Sequence, residues 1–285
     1  MNKENWFLLN KFMVKEHVKN ALREDIGFID ITTDVLADKK DLKLYLISKD
    51  NGIICGLEVF EIVFKELSEH VKIKFFFKDG DEVKNGDKVA EIEGDASALL
   101  IGERTALNYI QRMSGIATLT NKYQKVLDKY GVKITDTRKT TPCFRLFEKY
   151  AVMTGGAIPH RFNLSDCVMI KDNHIAYAGS IKKAVEKVRK YISHTHKIEV
   201  ECETLEQVQN ALDANVDIIM LDNMSTNVMK KSVEIINKQA ITEASGNVTY
   251  DRLEEIAQTG VDVISTSAIV ACAKTFDLSI KFVNS

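Results

Sequence analysis

Two pairs of adjacent basic residues stand on short loops of this 285-residue chain, where they could bind an anion. Arg138-Lys139 lies in the segment TDTRKTTP, among threonine hydroxyls that can donate hydrogen bonds. His160-Arg161 follows the segment GGAIP, whose glycines permit close backbone approach and whose proline stiffens the chain. A guanidinium group matches the two oxygens of a carboxylate or phosphate. Each loop is therefore a candidate anion site, although a basic turn exposed to solvent is the simpler alternative.

Other chemically useful residues lie where strand-like runs end. Glu201 and Asp222 end consecutive runs, and Lys171 follows the apolar run before them. Carboxylate oxygens suit Mg²⁺, usually shared with substrate phosphates, so we expect Mg²⁺ near Glu201 and Asp222. Small residues with free backbone N–H groups suit a phosphate. The residues expected to seat one are Ser245, Gly246, Asn247, Thr266 and Ser267. The alternative to a functional site is that these strand ends are polar simply because they meet solvent.

Alternating strand-like and helical runs after residue 130 indicate a parallel sheet. The predicted strands cover residues 132–136, 167–171, 197–202, 217–222, 240–245 and 262–266. The predicted helices cover residues 144–154, 180–192, 204–213, 226–238 and 249–258. Polar residues at nearly every strand end favour an α/β barrel, whose active site lies at the carboxyl ends of its strands. A doubly wound open sheet is the competing architecture.

The first 130 residues have a different pattern. Apolar spacing predicts a helix within residues 1–40. Short β-rich runs at 44–48, 72–77 and 88–92 are separated by turn signals, which predicts a small sheet over residues 42–96. A helical pattern then begins near residue 97. Gly115 is expected to interrupt it, with a second helix from about 117 to 129.

Composition excludes several classes of protein. The chain is 45% hydrophobic and 28% charged, as in ordinary globular proteins. A net charge of −2 gives no general attraction to nucleic acid, and no apolar stretch is long enough to span a membrane. The apolar run at residues 6–9 is too short for a signal peptide, and the five cysteines form no C-x-x-C motif. We expect a cytoplasmic protein with reduced thiols that binds neither nucleic acid nor membrane.

The motifs, taken in order, resemble those of type II quinolinate phosphoribosyltransferases, also called nicotinate-nucleotide pyrophosphorylases (carboxylating). They span nearly the whole chain, and such a collinear set is specific where no single motif would be. The matching segments are ALREDIGFIDITTD (21–34), GERTALNYIQRMSGIAT (102–118), ITDTRKTTP (134–142), EKYAV (148–152), HRFNLSDCVMIKDNHI (160–175), EVECETLEQ (199–207), IIMLDNMS (218–225), EASGN (243–247) and TGVDVIS (259–265).

The resemblance implies a fold of two domains. An N-terminal α/β sandwich would cover residues 1–115, with residues 270–285 returning to it, and an open, incomplete TIM-like α/β barrel would cover 116–269. It also implies a reaction, in de novo NAD biosynthesis. Quinolinate and phosphoribosyl pyrophosphate would give nicotinate mononucleotide, pyrophosphate and CO₂, with Mg²⁺ required.

Roles for individual residues follow from the same resemblance. The quinolinate carboxylates would be held by Arg138, Lys139, His160, Arg161 and Lys171. Arg104 would reach the same pocket from the partner subunit, which makes the enzyme a homodimer with shared sites. Glu201 and Asp222 would lie near the ribose and Mg²⁺-pyrophosphate, so that they act in catalysis with Lys139 and Lys171. Ser245, Gly246 and the loop at 266–267 would hold the 5′-phosphate.

The chain departs from the family pattern at four places. Ala157, Asn247 and Ser267 stand where glycines are usual, and Cys143 replaces the glycine of a Pro-Gly pair. A sister family associated with molybdate transport commonly has G-G-A-x-P-H-R-x-x-L-S and T-S-A, and this chain has both. Arg104, Lys171 and Asn223 instead match the quinolinate enzymes. A catalytically silent dimer that only binds a phosphorylated metabolite is a second alternative.

Overall fold

A computed structural model describes residues 9–37 and 40–282 of the chain. These residues form two compact units. The first is built from Met1–Asn121, Thr141–Gly156 and Ala273–Ser285, and the second from Lys122–Thr140 and Ala157–Cys272. Within the described ranges, every helix is too short or too polar to cross a membrane.

The helices and strands are numbered along the chain. The helices are α1 (Lys11–Ile26), α2 (Ile31–Leu36), α3 (Leu57–Leu67), α4 (Ala96–Leu127), α5 (Arg145–Thr154), α6 (Asp172–Ala178), α7 (Ile181–Arg189), α8 (Leu205–Asp213), α9 (Thr226–Ile236), α10 (Leu253–Ala257) and α11 (Ala268–Ala271). The strands are β1 (Asp41–Ser48), β2 (Gly52–Ile53), β3 (Lys72–Phe75), β4 (Glu82–Val83), β5 (Lys88–Asp95), β6 (Lys133–Thr135), β7 (Val168–Ile170), β8 (Ile198–Cys202), β9 (Ile218–Asp222), β10 (Ile241–Ser245), β11 (Val263–Ser265) and β12 (Leu278–Phe282).

The first unit contains an antiparallel sheet in the order β12-β1-β5-β3. The β-rich runs predicted from the sequence are strands β1, β3 and β5, and the C-terminal strand β12 pairs along β1 with Leu46 opposite Ile280. Helix α1 starts where the Asn10 side chain accepts backbone N–H groups, and it buries Val14, Val18 and Leu22. The helix predicted within residues 1–40 is thus present, and it ends at Ile26, at the expected Asp25-Ile26-Gly27. Leu8, an apolar residue of the predicted pattern, lies outside the described residues.

Two expectations for the first unit were wrong. Helix α3 was not predicted, although the polar residues Glu58, Glu61 and Lys65 of its run LEVFEIVFKEL recur at helical spacing. Gly115 does not interrupt the long helix, since α4 runs without a break from Ala96 to Leu127. A Cβ at Gly115 would lie 2.0 Å from the carbonyl oxygen of Lys274, so the glycine allows close packing against the returning chain.

The segment Thr141–Gly156, with helix α5, packs in the first unit, although we expected it in the barrel. The fully buried Glu148 accepts a hydrogen bond of 2.9 Å from Arg112 on α4. The Tyr150 hydroxyl donates to Asp79 at 2.9 Å. These polar contacts link α5 to α4 and to Asp79 within the first unit, and they give Arg112 a structural role. The first unit includes α4 as far as Asn121, whereas we expected its boundary between residues 115 and 116.

The second unit is a six-stranded parallel sheet in the order β6-β11-β10-β9-β8-β7. The first strand along the chain, β6, thus pairs with the last, β11, while β6 and β7 stand at the two edges. Thr135 of β6 instead makes a single parallel bridge to Ile158. This arrangement is a barrel left open at one seam, which confirms the predicted open α/β barrel and excludes the doubly wound sheet. All six predicted strands and the helices α7 to α10 are present, whereas α6 was not predicted.

Candidate functional site

A cavity of about 610 Å³ opens at the carboxyl ends of the parallel strands in the second unit. Most of the residues that line it were selected from the sequence. The lining residues are Thr137, Arg138, Lys139, His160, Arg161, Met169, Lys171, Glu201, Met220, Asp222, Asn223, Ser245, Gly246, Asn247 and Ser265. The fold therefore brings together both basic loops, Lys171, both strand-end acids and the Ser245-Gly246-Asn247 turn.

Three sequence-selected residues do not line this cavity. Thr266 is buried, and its hydroxyl contacts the carbonyl of Val248 and the backbone N–H of Ala268, so it is occupied in starting α11. Ser267 precedes α11, and Ser265 of β11 lines the cavity in its place. Arg104 is exposed on α4 in the first unit. Thr266 and Ser267 were expected to face the cavity from the loop after β11. The last side chain of β11 that points into the barrel is instead that of Ser265.

Lys171 and the two acids form the charged wall of the cavity. The Lys171 ammonium donates to Oε2 of Glu201 on the neighbouring strand. Asp222, at the end of the next strand, accepts a 2.6 Å hydrogen bond from the Asn223 amide. Burial raises the pKa of Asp222, and the negative charge of Glu201 raises it further. The wall thus holds two carboxylates that repel each other and one cation that offsets part of their charge.

The turn Ser245-Gly246-Asn247 is fastened to the neighbouring strand end through Asn223. The backbone N–H of Asn223 donates to the Ser245 carbonyl, and the Asn247 amide donates to Oδ1 of Asn223, both at 3.0 Å. Gly246 has φ +82°, and a Cβ there would lie 2.2 Å from Oδ1 of Asn223. The turn therefore needs glycine at Gly246, while Asn247 adopts the left-handed region at φ 50°. Sequence reasoning gave Asn223 no positional role, because this tie forms only in three dimensions.

The second basic loop is held by side chains on both sides. Oδ1 of the buried Asp136, just after β6, accepts the His160 backbone N–H at 2.8 Å. The Arg161 guanidinium donates to the Cys167 carbonyl at 2.9 Å and contacts the Met169 sulfur at 3.7 Å. Both basic residues consequently stand at the cavity in fixed positions rather than on a freely moving turn.

His160 also faces two buried acids that sequence reasoning did not select. Its Nε2 lies 3.6 Å from Oε2 of Glu199 and 3.3 Å from Oε1 of Glu243. Burial alone would lower the pKa of His160, but the two carboxylates outweigh it and raise the pKa to about 10. A signal was available in the run EVECE, since alternate strand residues point to one face and Glu199 must therefore share a face with Glu201.

One contact of His160 disfavours a proton on Nδ1. Nδ1 lies 2.7 Å from the Arg161 backbone nitrogen, where it can accept the N–H only if it carries no proton of its own. In either state a proton on Nε2 faces the acids. A backbone hydrogen bond contributes about 1 kcal/mol, whereas leaving a buried carboxylate without a counter-charge costs several. We therefore assign the imidazolium to His160 at neutral pH.

The arrangement suits an anionic substrate that carries its charge at more than one place. The guanidinium and ammonium groups can bind carboxylates, and the two acids can bind a cation or ribose hydroxyls. The turn at Ser245-Gly246-Asn247 offers backbone N–H groups and small side chains to a phosphate.

The sequence matches two family models over almost its whole length. The C-terminal domain of quinolinate phosphoribosyl transferase matches residues 116–281, and its N-terminal domain matches residues 30–114. The chain is 42% identical over 273 residues to the probable nicotinate-nucleotide pyrophosphorylase [carboxylating] of Methanothermobacter thermautotrophicus, a match covering 93% of this chain and 97% of the relative. It is 41% identical over 271 residues to the protein of the same name from Bacillus subtilis, covering 95% of this chain and 94% of the relative.

Solved structures agree with the sequence comparisons. The structure of NadC from Streptococcus pyogenes superposes with a TM-score of 0.93 at 40% identity, covering 97% of this chain and 99% of that one. The nicotinate-nucleotide pyrophosphorylase of Francisella tularensis gives a TM-score of 0.93 at 38% identity, covering 96% and 97%. With two domain models matched and relatives at this identity over nearly their full length, the chain belongs to the quinolinate phosphoribosyltransferase family.

Proposed function

We propose that this chain is a quinolinate phosphoribosyltransferase of de novo NAD biosynthesis. It joins quinolinate to phosphoribosyl pyrophosphate and releases nicotinate mononucleotide, pyrophosphate and CO₂. Membership of the family supports the class of reaction. One observation on this chain supports the assignment of the site. A single cavity holds two arginines, two lysines and a charged histidine together with two strand-end acids.

The basic residues of the cavity bind the two carboxylates of quinolinate. Arg138 and Lys139 come from the loop after β6, and Arg161 comes from the loop before β7. A planar dicarboxylate fits planar guanidinium forks, and Lys171 adds a compact charge beside them. Binding both carboxylates fixes the pyridine nitrogen in one orientation, so that it can attack C1 of the ribose without a large entropy cost at that step.

The acids and lysines act on the sugar and its leaving group. As pyrophosphate departs, the ribose ring gains positive charge, and the carboxylates of Glu201 and Asp222 stabilise it electrostatically. Lys139 and Lys171 stabilise the negative charge that develops on the leaving oxygen. The ring nitrogen becomes cationic when it attacks, which stabilises the carbanion formed when the adjacent carboxylate leaves as CO₂. That carbanion then takes a proton from water to give nicotinate mononucleotide. No covalent bond to the protein is required.

Mg²⁺ fits the donor set of this cavity. Glu201 and Asp222 present hard oxygen ligands close enough for the charge of one to raise the pKa of the other, and a divalent cation relieves that repulsion. These two residues would hold the ion directly or through water and substrate phosphates. When bound, Mg²⁺ neutralises pyrophosphate charge. The Ser245-Gly246-Asn247 turn then receives the 5′-phosphate of the ribose.

We further propose a homodimer in which Arg104 completes the partner's site. Arg104 is exposed on α4 and stands among the residues of the first unit. The same unit exposes several large apolar side chains, which is typical of a surface covered by another protein. These side chains are Phe28, Ile31, Val35 and Leu36. A cytoplasmic location is also proposed, on the charge and scattered thiols described above.

The deciding experiment follows quinolinate with the purified chain. Quinolinate should be consumed, and nicotinate mononucleotide should form, only when phosphoribosyl pyrophosphate and Mg²⁺ are both present. Nicotinate offered in place of quinolinate should give little product, because it lacks one of the two carboxylates. If quinolinate is untouched at saturating co-substrate, the assignment is wrong and the sister family with another acceptor, or a silent binding protein, takes its place.

A further inference from the structure

Two buried acids lie one layer below the floor of the cavity. Glu199 of β8 and Glu243 of β10 stand two residues before Glu201 and Ser245, so their side chains point to the same inner face of the barrel. Glu199 is 1% exposed and Glu243 is 5% exposed. Neither belongs to the set that touches the cavity, and the proposed reaction does not use them.

Their carboxylate oxygens lack the hydrogen bonds that a buried acid normally needs. Both oxygens of Glu199 and Oε1 of Glu243 have no hydrogen-bond partner within the described part of the chain. An uncompensated carboxylate in the interior costs several kcal/mol, so such a group either takes up a proton or stands beside an opposite charge. The His160 ring faces both acids within ion-pair distance.

The ring is held from several sides at once. Asp136, just after β6, accepts the backbone N–H of His160, and Arg161 follows it in the chain. The acids approach Nε2 from β8 and β10. The charged groups that face the ring are therefore Glu199 and Glu243, while Asp136 and Arg161 adjoin its backbone. His160 also lines the cavity above, so it connects a buried acidic layer with the substrate site.

We propose that Glu199 and Glu243 form an acidic clamp, which holds His160 as a fixed cation under the quinolinate site. The clamp residues are positioning residues, because they act on substrate only through the ring. By facing Nε2 they keep the positive charge of the ring at the edge of the cavity, where it attracts a substrate carboxylate. This inference rests on the proposed function for the identity of the carboxylate, but not for the clamp itself.

A metal ion is the competing occupant of the cluster. The ligand atoms of His160, Glu199 and Glu243 all lie within 4.8 Å of one another. A metal on Nε2 leaves the proton of a neutral imidazole on Nδ1, as the imidazolium also does, so the contact from Arg161 N–H does not distinguish the two. The ion pair needs no component beyond this chain, and the metal is an outcome of the test.

The charge of the clamp is tested with Glu243→Gln in the full-length enzyme. Glutamine keeps the size and one oxygen of the acid, so the ring stays in place while one negative charge is lost. One carboxylate remains opposite the imidazolium, and folding should therefore be retained. The NMR signals of the His160 ring, identified by their loss in His160→Gln, should not titrate between pH 6 and 9 in the wild type. They should titrate within that range in Glu243→Gln.

Kinetics give a second readout that a purely structural role would not move. Each pH unit above a group's pKa leaves about a tenth of it protonated. The KM for quinolinate should therefore rise between pH 7 and pH 9 in Glu243→Gln, by about tenfold for each pH unit above the ring's pKa, and stay nearly flat in the wild type, with kcat changing much less. Glu199→Gln should behave alike. Glu206→Gln, an exposed acid on α8, is the matched control and should follow the wild type.

Two results would overturn the clamp. The first is a His160 signal that titrates identically in the wild type and in both clamp variants. The second is a divalent ion retained at one per chain in the purified wild type and lost in Glu243→Gln. Because the NMR titration uses no substrate, an enzyme inactive towards quinolinate would refute the proposed function and still leave the clamp open to confirmation or refutation.

Discussion

Arg112 on α4 and Glu148 on α5 form an ion pair of 2.9 Å, and the Glu148 side chain has no exposed surface. Glu148 also accepts hydrogen bonds from the backbone and hydroxyl of Thr141, each at 2.9 Å. The pair thus fixes the start of the segment that follows the Arg138-Lys139 loop. Breaking it leaves a buried carboxylate without its cation, which typically costs about 3–5 kcal/mol.

Arg112→Met should therefore lower the thermal unfolding temperature markedly. Arg252→Met is the matched control, since Arg252 pairs with Glu255 at 3.0 Å on the surface, where such pairs contribute about 0–1 kcal/mol. Differential scanning calorimetry of the two variants measures the contrast. Equal losses in both would mean that the buried pair contributes no more than an exposed one.

Gly115→Ala should destabilise the protein even though alanine is the better helix former. The added Cβ would meet the Lys274 carbonyl oxygen at 2.0 Å, so α4 or the chain at 274 must shift. Overpacking of this kind typically costs about 1–3 kcal/mol. Lys125→Ala, at an exposed position of the same helix, should leave chemical denaturation nearly unchanged. A Gly115→Ala variant as stable as the wild type would contradict the close packing.

The pH dependence of stability should carry a contribution from Asp79. This carboxylate accepts the backbone N–H groups of Gly56 and Leu57 at 3.0 Å, and burial raises its pKa despite those bonds. A folded pKa above the unfolded value means that ionisation costs folding free energy. That cost is absent at low pH, where Asp79 is protonated in both states, and it is complete above the folded pKa.

Asp79→Asn removes the ionisable group but keeps an oxygen for the helix N-terminus. Relative to this variant, the wild type should lose stability as the pH rises from 3 to 7, measured by urea denaturation at each pH. Asp95→Asn is the control, because exposed Asp95 similarly accepts the Ser97 N–H at 3.2 Å near the start of α4. A difference between Asp79→Asn and the wild type that does not vary with pH would refute the burial effect.

The shared site predicts that two inactive variants can complement each other. Arg104→Ala and Arg138→Ala should each abolish quinolinate consumption. After subunit exchange, a mixed dimer would hold one site with both arginines intact, so about a quarter of all sites should recover when exchange is complete and random. Recovery is measured by nicotinate mononucleotide formation. Demonstrated exchange without any recovery would show that Arg104 acts within its own subunit or not at all.

The barrel was predictable because its signals are local. Each parallel strand of the second unit is a short apolar run, and its last inward residue is polar, as Asp222 and Ser245 illustrate. The strand ends meet at one edge of the sheet, so the pattern of runs is enough to assign residues far apart in sequence to one cavity. Ten of the sequence-selected residues line it.

What the sequence did not reveal depends on contacts between distant segments. Gly115 looked like a helix breaker because the carbonyl of Lys274 that it accommodates is remote in the chain. Helix α5 looked like part of the barrel because its partner Arg112 precedes the barrel strands. Glu199 was missed because its role depends on its contact with His160, which is 39 residues away in the chain.

The pairing of β12 with β1 sets the order in which the chain can fold as it is synthesised. β1 pairs with β5 on one side, but on its other side residues 44–48 pair with residues 278–282, so this edge of the first sheet stays open until at least residue 282 has left the ribosome. The second unit, by contrast, has all its strands by residue 265. An exposed strand edge invites pairing with other chains. Slow translation or loss of the last strand should therefore appear first as aggregation of nascent chains, before any defect in chemistry.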